Sequence, residues 1–186
     1  MDMAEQIAQR LKAERKQRGW SLDELAERSR VSRAMISKIE RQVSTPTAVL
    51  LARLANAMGI SLSALMFEAG PTQQTVSRLA EQREWTDPAT GYTRRLVSPA
   101  LRQGDAEIVA VNLPPGARIS FPASGALCID GQLLLQQGQL QLSAGGEQLP
   151  LKPGDCARLA LHLAHEIYNP GAEVARYLVV IRVNSA

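Results

Sequence analysis

Aromatic residues are scarce in this chain: two Trp, two Phe and three Tyr make up 4% of its 186 residues. Any core must be filled by aliphatic side chains. With the other apolar types these reach 45% of the composition, enough for one medium domain or two small ones. Cysteine is scarcer still. Cys128 and Cys156 stand far apart with no CxxC or Cys/His cluster near either, so neither a disulfide framework nor a zinc site is expected and both thiols read as reduced. The only histidines are His162 and His165, which leaves little from which to build a metal centre. No apolar run approaches the ~18 residues of a membrane helix. The opening stretch Met1–Arg10 is polar and amphipathic, without the apolar heart of a secretory signal. A cytoplasmic chain with no membrane partner is the expectation.

The net charge of +3 is small, but it is unevenly spread. Residues 1–67 hold 11 Lys and Arg against 7 Asp and Glu, a surplus of four, whereas the remainder holds 10 against 11. A basic first third is the footprint of a module that meets phosphates, although a surplus of this size also suits a merely solvated surface. Over the same residues apolar side chains recur at helical spacing: Ile7 and Leu11, then Leu22, Leu25 and Ala26, then Ile36 and Ile39, then Leu50, Leu54, Ala55 and Met58. Breakers and caps divide these runs. Gly19 closes the first, Ser21 with Glu24 forms a capping box for the second, and Ser32 caps the third. Thr45 and Pro46 suit the N-cap and first position of a fourth helix, Gly59 its exit, and Ser61 the start of a short fifth.

After Phe67 the period changes. Gly70 and Pro71 open a polar linker, expected over 68–91 with a short ordered piece around Val76 and Leu79. Beyond it "AEIVAVNLPPG", "QLLLQQGQLQLSAGG", "EQLPLKPGD" and "ARYLVVIRV" are short apolar or alternating runs cut by Pro-Gly and Gly-Gly turns, the spacing of an antiparallel sandwich or barrel over 92–186. Lys152-Pro153-Gly154-Asp155 places Pro and Gly where a type II turn needs them. The fold class expected is α+β: five helices, then an antiparallel β-barrel.

Trp20 to Arg41, "WSLDELAERSRVSRAMISKIER", carries the most specific signal. Its first helix buries Leu22, Leu25 and Ala26, Val31 turns inward, and its second helix buries Ile36 and Ile39. Ser32, Arg33, Ala34, Ser37 and Lys38 are left facing out. A helix entering the major groove needs short residues at its N-terminus and long donors beside them, because Arg and Lys bond guanine O6 and N7. With "ELA", "VSRAMISKIER" and "STPTAVLLARLANAMGISLSAL", residues 7–67 resemble the phage-repressor-like XRE family of helix-turn-helix regulators. The resemblance implies base contacts from Arg33, Ala34 and Lys38, flanked by Ser32, Ser37 and Arg41. It also suggests an ion pair between Arg15 and Glu40. Two positions depart from the family pattern: Arg30 and Gln42 stand where glycines are common, so each is expected in a left-handed or relaxed backbone. Leu22 replaces a phosphate-binding glutamine, which moves the phosphate anchors to Ser21, Arg41, Thr45 and Thr47.

From Tyr92 to Val183 the pieces "LPPGA", "QLLLQQGQLQL", "LKPGD" and "HEIYNPG" resemble the cupin domains, small jelly-roll barrels, that follow this helix-turn-helix in many regulators. Enzymatic cupins generally hold a metal with three histidines and a glutamate. Here only the last histidine survives, as His165 with Asn169 four residues on. "RISFPASGALCIDGQLLLQQG" contains no histidine, and Gly131 falls where the glutamate would be. His162, His165 and Cys128 make a poor donor set, so no metal and no cofactor is expected. The mouth of the barrel is then expected to be lined by Arg94, Arg95, Arg118, Gln132, His165 and Tyr168, with Phe121 and Cys128 nearby in sequence. His165 as a core residue, Arg94 and Arg95 as a surface pair, and Cys128 as a small buried hydrophobe are the alternatives.

The function expected is a sequence-specific, DNA-binding transcriptional regulator, not an enzyme. It would act as a homodimer on a palindromic double-stranded operator, with a cupin domain that senses a small polar metabolite, an amino acid or another carboxylate. A cupin-type enzyme tethered to DNA, or a DNA-binding protein whose barrel only dimerises, are the other readings.

Overall fold

The computed structural model describes residues 2–67, 75–99, 106–123, 129–159, 161 and 163–183. The chain divides into two compact units, Met1–Glu68 and Ala69–Ala186.

The first unit is built from α1 (Met3–Gln17), α2 (Leu22–Ser29), α3 (Arg33–Glu40), α4 (Ala48–Met58) and α5 (Leu62–Met66). Ile7, Leu11, Leu25, Ile36, Leu51, Leu54 and Leu65 are sealed from solvent and form its core. The helical period of the sequence is therefore the contact face of each helix, with shifts at the edges. Leu22, Ala26 and Leu50 are only half-buried, and Leu51 and Ser29 take inner places instead. The fourth helix begins later than Thr45-Pro46 suggests. Thr47 is its N-cap, its hydroxyl accepting from the Leu50 N–H at 3.4 Å, while Pro46 is buried ahead of the helix. Both Thr45 and Thr47 carry a capping hydroxyl, and only the packing of Pro46 and Ala48 decides between them.

Three of these helices end in the same device. The N–H groups of Gly19 and Trp20 reach Lys16 and Arg15, those of Gln42 and Val43 reach Ile39 and Lys38, and those of Gly59 and Ile60 reach Asn56 and Ala55. Each closes the last turn around a left-handed residue, with φ of 69°, 61° and 70° at Gly19, Gln42 and Gly59. Gln42 and Arg30 are the non-glycine residues at positive φ among the described residues. No helix among those residues is long and apolar enough to cross a membrane.

The second unit contains a 3₁₀ turn (Leu79–Glu81) and ten strands: β1 (Glu84–Thr86), β2 (Thr93–Leu96), β3 (Ala106–Leu113), β4 (Arg118–Phe121), β5 (Ile129–Gln137), β6 (Leu140–Ala144), β7 (Glu147–Leu151), β8 (Cys156–Leu159), β9 (His165–Tyr168) and β10 (Ala175–Val183). One sheet runs β1-β2-β3-β10-β5-β8 and the other β4-β9-β6-β7, all antiparallel. Apart from the β6–β7 hairpin, which stays in one sheet, strands β3 to β10 thus alternate between two four-stranded layers in the order of a jelly roll. Among the described residues no ladder joins the layers, so the expected barrel is a two-layer sandwich. Val109, Val111, Leu133, Leu135, Tyr177 and Val179 from one layer, with Ile119, Leu140, Leu142 and Ile167 from the other, are its buried filling.

β1 falls inside the stretch expected to be linker: Trp85 is buried and pairs in register with Arg94. A single aromatic between Glu84 and Thr86 is too short an alternation to show as a strand in sequence. Val76 and Leu79 are exposed. Gly138 and Asn169 seal one end of the sandwich. A Cβ on Gly138, at φ 82°, would lie 2.9 Å from the Ala175 Cα. The Asn169 side chain donates to the carbonyls of Leu113 (2.9 Å) and Glu173 (2.8 Å) and accepts from the Gly171 N–H (2.9 Å).

Candidate functional site

The region expected to face the DNA groove is α2, its exit turn and α3. Ser21 accepts from the Glu24 N–H (3.1 Å) while its own N–H donates to the Glu24 carboxylate (2.7 Å), so both expected halves of the capping box are present. At the other end the Ser29 hydroxyl donates to the Leu25 carbonyl (2.6 Å) and accepts from the Val31 N–H (3.3 Å). Arg30 then enters the left-handed region at φ 55°, which turns the chain so that Val31 enters the core and Ser32 caps α3. With Ile36 and Ile39 buried, α3 presents Arg33, Ala34 and Lys38 to solvent, with Ser32 and Arg41 exposed at its ends and Ser37 half-buried.

The angle of α3 is set from behind. Arg15 of α1 makes a two-pronged ion pair with Glu40, Nε to Oε1 at 2.6 Å and Nη2 to Oε2 at 2.8 Å, and its Nη1 donates to the Trp20 carbonyl at 2.7 Å. One guanidinium therefore ties α1, α3 and the α1–α2 turn together, in the pairing the family resemblance suggests. Among the expected phosphate anchors, Ser21 and Thr47 use a hydroxyl lone pair in their caps. Each keeps its O–H to donate outward. Thr45 and Arg41 are exposed, the Arg41 Nε lying 3.2 Å from the Ser37 carbonyl.

The six residues expected around a ligand are not brought together. Arg94 and His165 face the sandwich interior, and they sit at opposite ends of it. Arg94 is in register with Val111, near the Leu113 end. His165 pairs with Phe121, four strand positions from the turn that joins β3 to β4. Arg118 and Tyr168 lie on the outer face of the four-stranded sheet, where Arg118 stacks over the Tyr168 ring at 4.3 Å and pairs with Glu166. Arg95 and Gln132 are on the outer face of the six-stranded sheet. Strand parity is the reason: neighbours such as Arg94 and Arg95, or residues three apart such as His165 and Tyr168, point to opposite faces. Tyr92, Tyr177 and Glu107 are among the buried side chains with polar groups that nothing in the sequence singled out. The Tyr92 hydroxyl lies 3.4 Å from Arg94 Nη1. Burial pushes the Tyr177 hydroxyl well above its ordinary pKa, Tyr92 adding to that and Arg94 opposing it.

A family model described as HTH_3, helix-turn-helix, matches residues 11–65. The HTH-type transcriptional regulator SutR of Escherichia coli (strain K12) is 30% identical over 172 residues, 92% of this chain and 91% of that protein. The chain belongs to the helix-turn-helix transcriptional regulators of the XRE family. The HTH-type transcriptional regulator SinR of Bacillus subtilis (strain 168) is 37% identical over 68 residues, 36% of this chain and 61% of that protein. An HTH_3 family transcriptional regulator from Vibrio cholerae shares the fold, with a TM-score of 0.82 over 98% of both chains at 24% identity.

The regulator's jelly roll does not suit the metal of the enzymatic cupins. At Gly131, the position of the missing glutamate, a Cβ would lie 2.7 Å from Leu161 Cδ1 and 3.2 Å from Leu159 Cβ, so leucine side chains fill that space. The surviving His165 turns Nδ1 toward the Leu163 carbonyl at 3.1 Å and stacks on Phe121 at 5.3 Å between ring centres. Burial lowers its pKa, and the Leu163 carbonyl opposes that shift. Among the described residues no three His, Cys, Asp or Glu side chains converge. Cys128 and His162 lie outside those residues.

Proposed function

We propose that this regulator is a one-component sensor and not an enzyme, acting in the cytoplasm as a homodimer on a palindromic operator. Arg33, Ala34 and Lys38 would read bases. Ser21, Ser32, Ser37, Arg41, Thr45 and Thr47 would hold the backbone. A small carboxylate metabolite, such as an amino acid, would bias the dimer. The observation that carries the sensing is the Arg94 guanidinium, 4% exposed inside an aliphatic sandwich. A guanidinium beside the Tyr92 hydroxyl is of the chemistry that binds a carboxylate through paired, charge-assisted hydrogen bonds. Against a metal-dependent reaction stand the leucine side chains packed around Gly131 and the lack of three converging donors among the described residues.

A dimer-only role for the jelly roll is the second reading, favoured by its six-stranded sheet. Ile108, Ala110, Leu134, Leu178 and Val180 make the outer face apolar at its centre, with Arg95, Arg158, Arg176 and Arg182 around it. Central strands apolar on both faces are covered on both faces, and a two-fold copy of the same patch would cover this one. A thermal-shift screen of amino acids and other carboxylates, repeated on Arg94→Lys, separates the readings. Sensing requires a ligand that raises the melting temperature, changes operator affinity, and loses both effects in the variant. If no carboxylate alters operator affinity while the protein remains dimeric, the dimer-only reading stands.

A further inference from the structure

We propose that Asp23 is a positioning residue for Arg33 and that it sharpens base selection twice over, by aiming the guanidinium and by penalising DNA that lacks the matching base. The inference rests on the reading of α3 as the groove helix with Arg33 at its first position.

Asp23 lies in the first turn of α2 and Arg33 opens α3. Ten positions separate them, and the turn through Arg30 and Ser32 brings Asp23 Oδ1 to 3.3 Å from Arg33 Nε. Both side chains are exposed, at 73% and 65%. A pair this open adds little to folding, so its geometry is of use chiefly on the DNA-facing surface. The carboxylate engages the Nε side of the guanidinium. The terminal Nη1 and Nη2 groups form the edge that bonds guanine O6 and N7 together. Holding Nε restricts rotation about the last torsion of a long side chain, so less freedom is lost when the two bonds to guanine form. When groove water is displaced the pair strengthens, because the local dielectric falls.

The same carboxylate has a repulsive effect. Ser21 and the N-terminus of α2 are where phosphates are expected to dock, and an acid in that turn opposes them. With guanine under Arg33 that opposition is offset by the aimed contact. Without it, Arg33 stays occupied by Asp23 and neutralises no phosphate. Discrimination therefore arises from a weakened wrong complex as much as from a strengthened right one.

The test uses the full-length protein. Preferred sites are selected from random duplexes at fixed salt, and affinities for those sites and for random duplex are then measured against salt for wild type, Asp23→Ala, Asp23→Asn, Asp23→Glu, Arg33→Ala and the double variant. Asp23→Ala and Asp23→Asn should bind random duplex about two- to fivefold more tightly, with a salt slope steeper by about one phosphate. Their guanine preference at the Arg33 position should fall at least about threefold, their melting temperatures should fall only by the few degrees that loss of a first-turn acid costs, and Asp23→Glu should restore part of the preference. Arg33→Ala should abolish the preference at that position, and the double variant should lose nothing further there. If Asp23→Ala weakens specific and random binding alike, or leaves the guanine preference whole, the proposal is overturned while Arg33 remains the reader. If Arg33→Ala leaves every base preference unchanged, the reading of Arg33 fails and the proposal with it.

Discussion

Removing either partner of the Arg15–Glu40 pair should cost more than removing both, and the two single losses should differ. Side-chain exposures of 11% for Arg15 and 7% for Glu40 place both groups largely out of water. A survivor therefore keeps a desolvated charge, a loss of about 3–5 kcal/mol when a fully buried pair is broken and nearer its lower end at this exposure. Arg15→Ala leaves the Glu40 carboxylate uncompensated and also strips the donor from the Trp20 carbonyl. It should cost about 1 kcal/mol more than Glu40→Ala, where the guanidinium keeps that carbonyl. Replacing both with Met and Leu of similar volume should recover most of the loss, and measured against the single changes to the same two residues the coupling should exceed about 4 kcal/mol. The two units need not unfold together, so the signal must come from the first alone. Trp20 and Trp85 are the two tryptophans, one in each unit. Urea denaturation followed by Trp20 fluorescence in a Trp85→Phe background reports the helical unit. A coupling below about 0.5 kcal/mol, within the usual additivity error, would show that the pair is held by its surroundings and does not fix α3.

Arg33→Ala and Lys38→Ala should each weaken operator binding by about 1–3 kcal/mol with the fold intact, and equal losses on random DNA would make them phosphate contacts instead. Gln42→Gly should stabilise the helical unit by about 0.5–1 kcal/mol, because relief of the left-handed strain exceeds the added chain entropy. Gly138→Ala should destabilise the jelly roll by about 2–4 kcal/mol, since its Cβ meets the Ala175 backbone. Melting curves of both variants check these two values. Because burial lowers the His165 pKa, the unfolded chain binds its proton first as pH falls through 6.5. Stability should drop from there down to the folded value, and the drop should be shallower in His165→Leu. Tyr177 is shifted upward, so its contribution is complete below pH 10.0 and lost above it, and Tyr177→Phe should flatten the alkaline limb of the same profile.

By itself the sequence determined what depends on a handful of consecutive residues. The Ser21–Glu24 capping box, the caps at Ser32 and Ser61, the left-handed exit at Gly59 and the Lys152–Asp155 turn with Gly154 at φ 96° all follow from side chains within five positions of one another. At Arg30 and Gln42 a helix exit without a glycine left a left-handed or a relaxed backbone open, and the packed turns took the left-handed one. Alternation also held the parity of each strand, which already separates Arg94 from Arg95 and His165 from Tyr168. It did not hold which parity faces inward. That was decided by the stacking of two sheets, which sent Arg118, Tyr168 and Gln132 outward and left Arg94 and His165 inside at opposite ends. Tertiary structure alone also chose Thr47 over Thr45, paired Trp85 with Arg94 as an edge strand, laid leucines over Gly131, and brought Asp23 to Arg33. The physical reason is common to all of these. Caps and turns are closed by bonds along the chain, whereas a buried face or a charge pair across a turn exists only once separate elements have packed, and packing depends on every element at once.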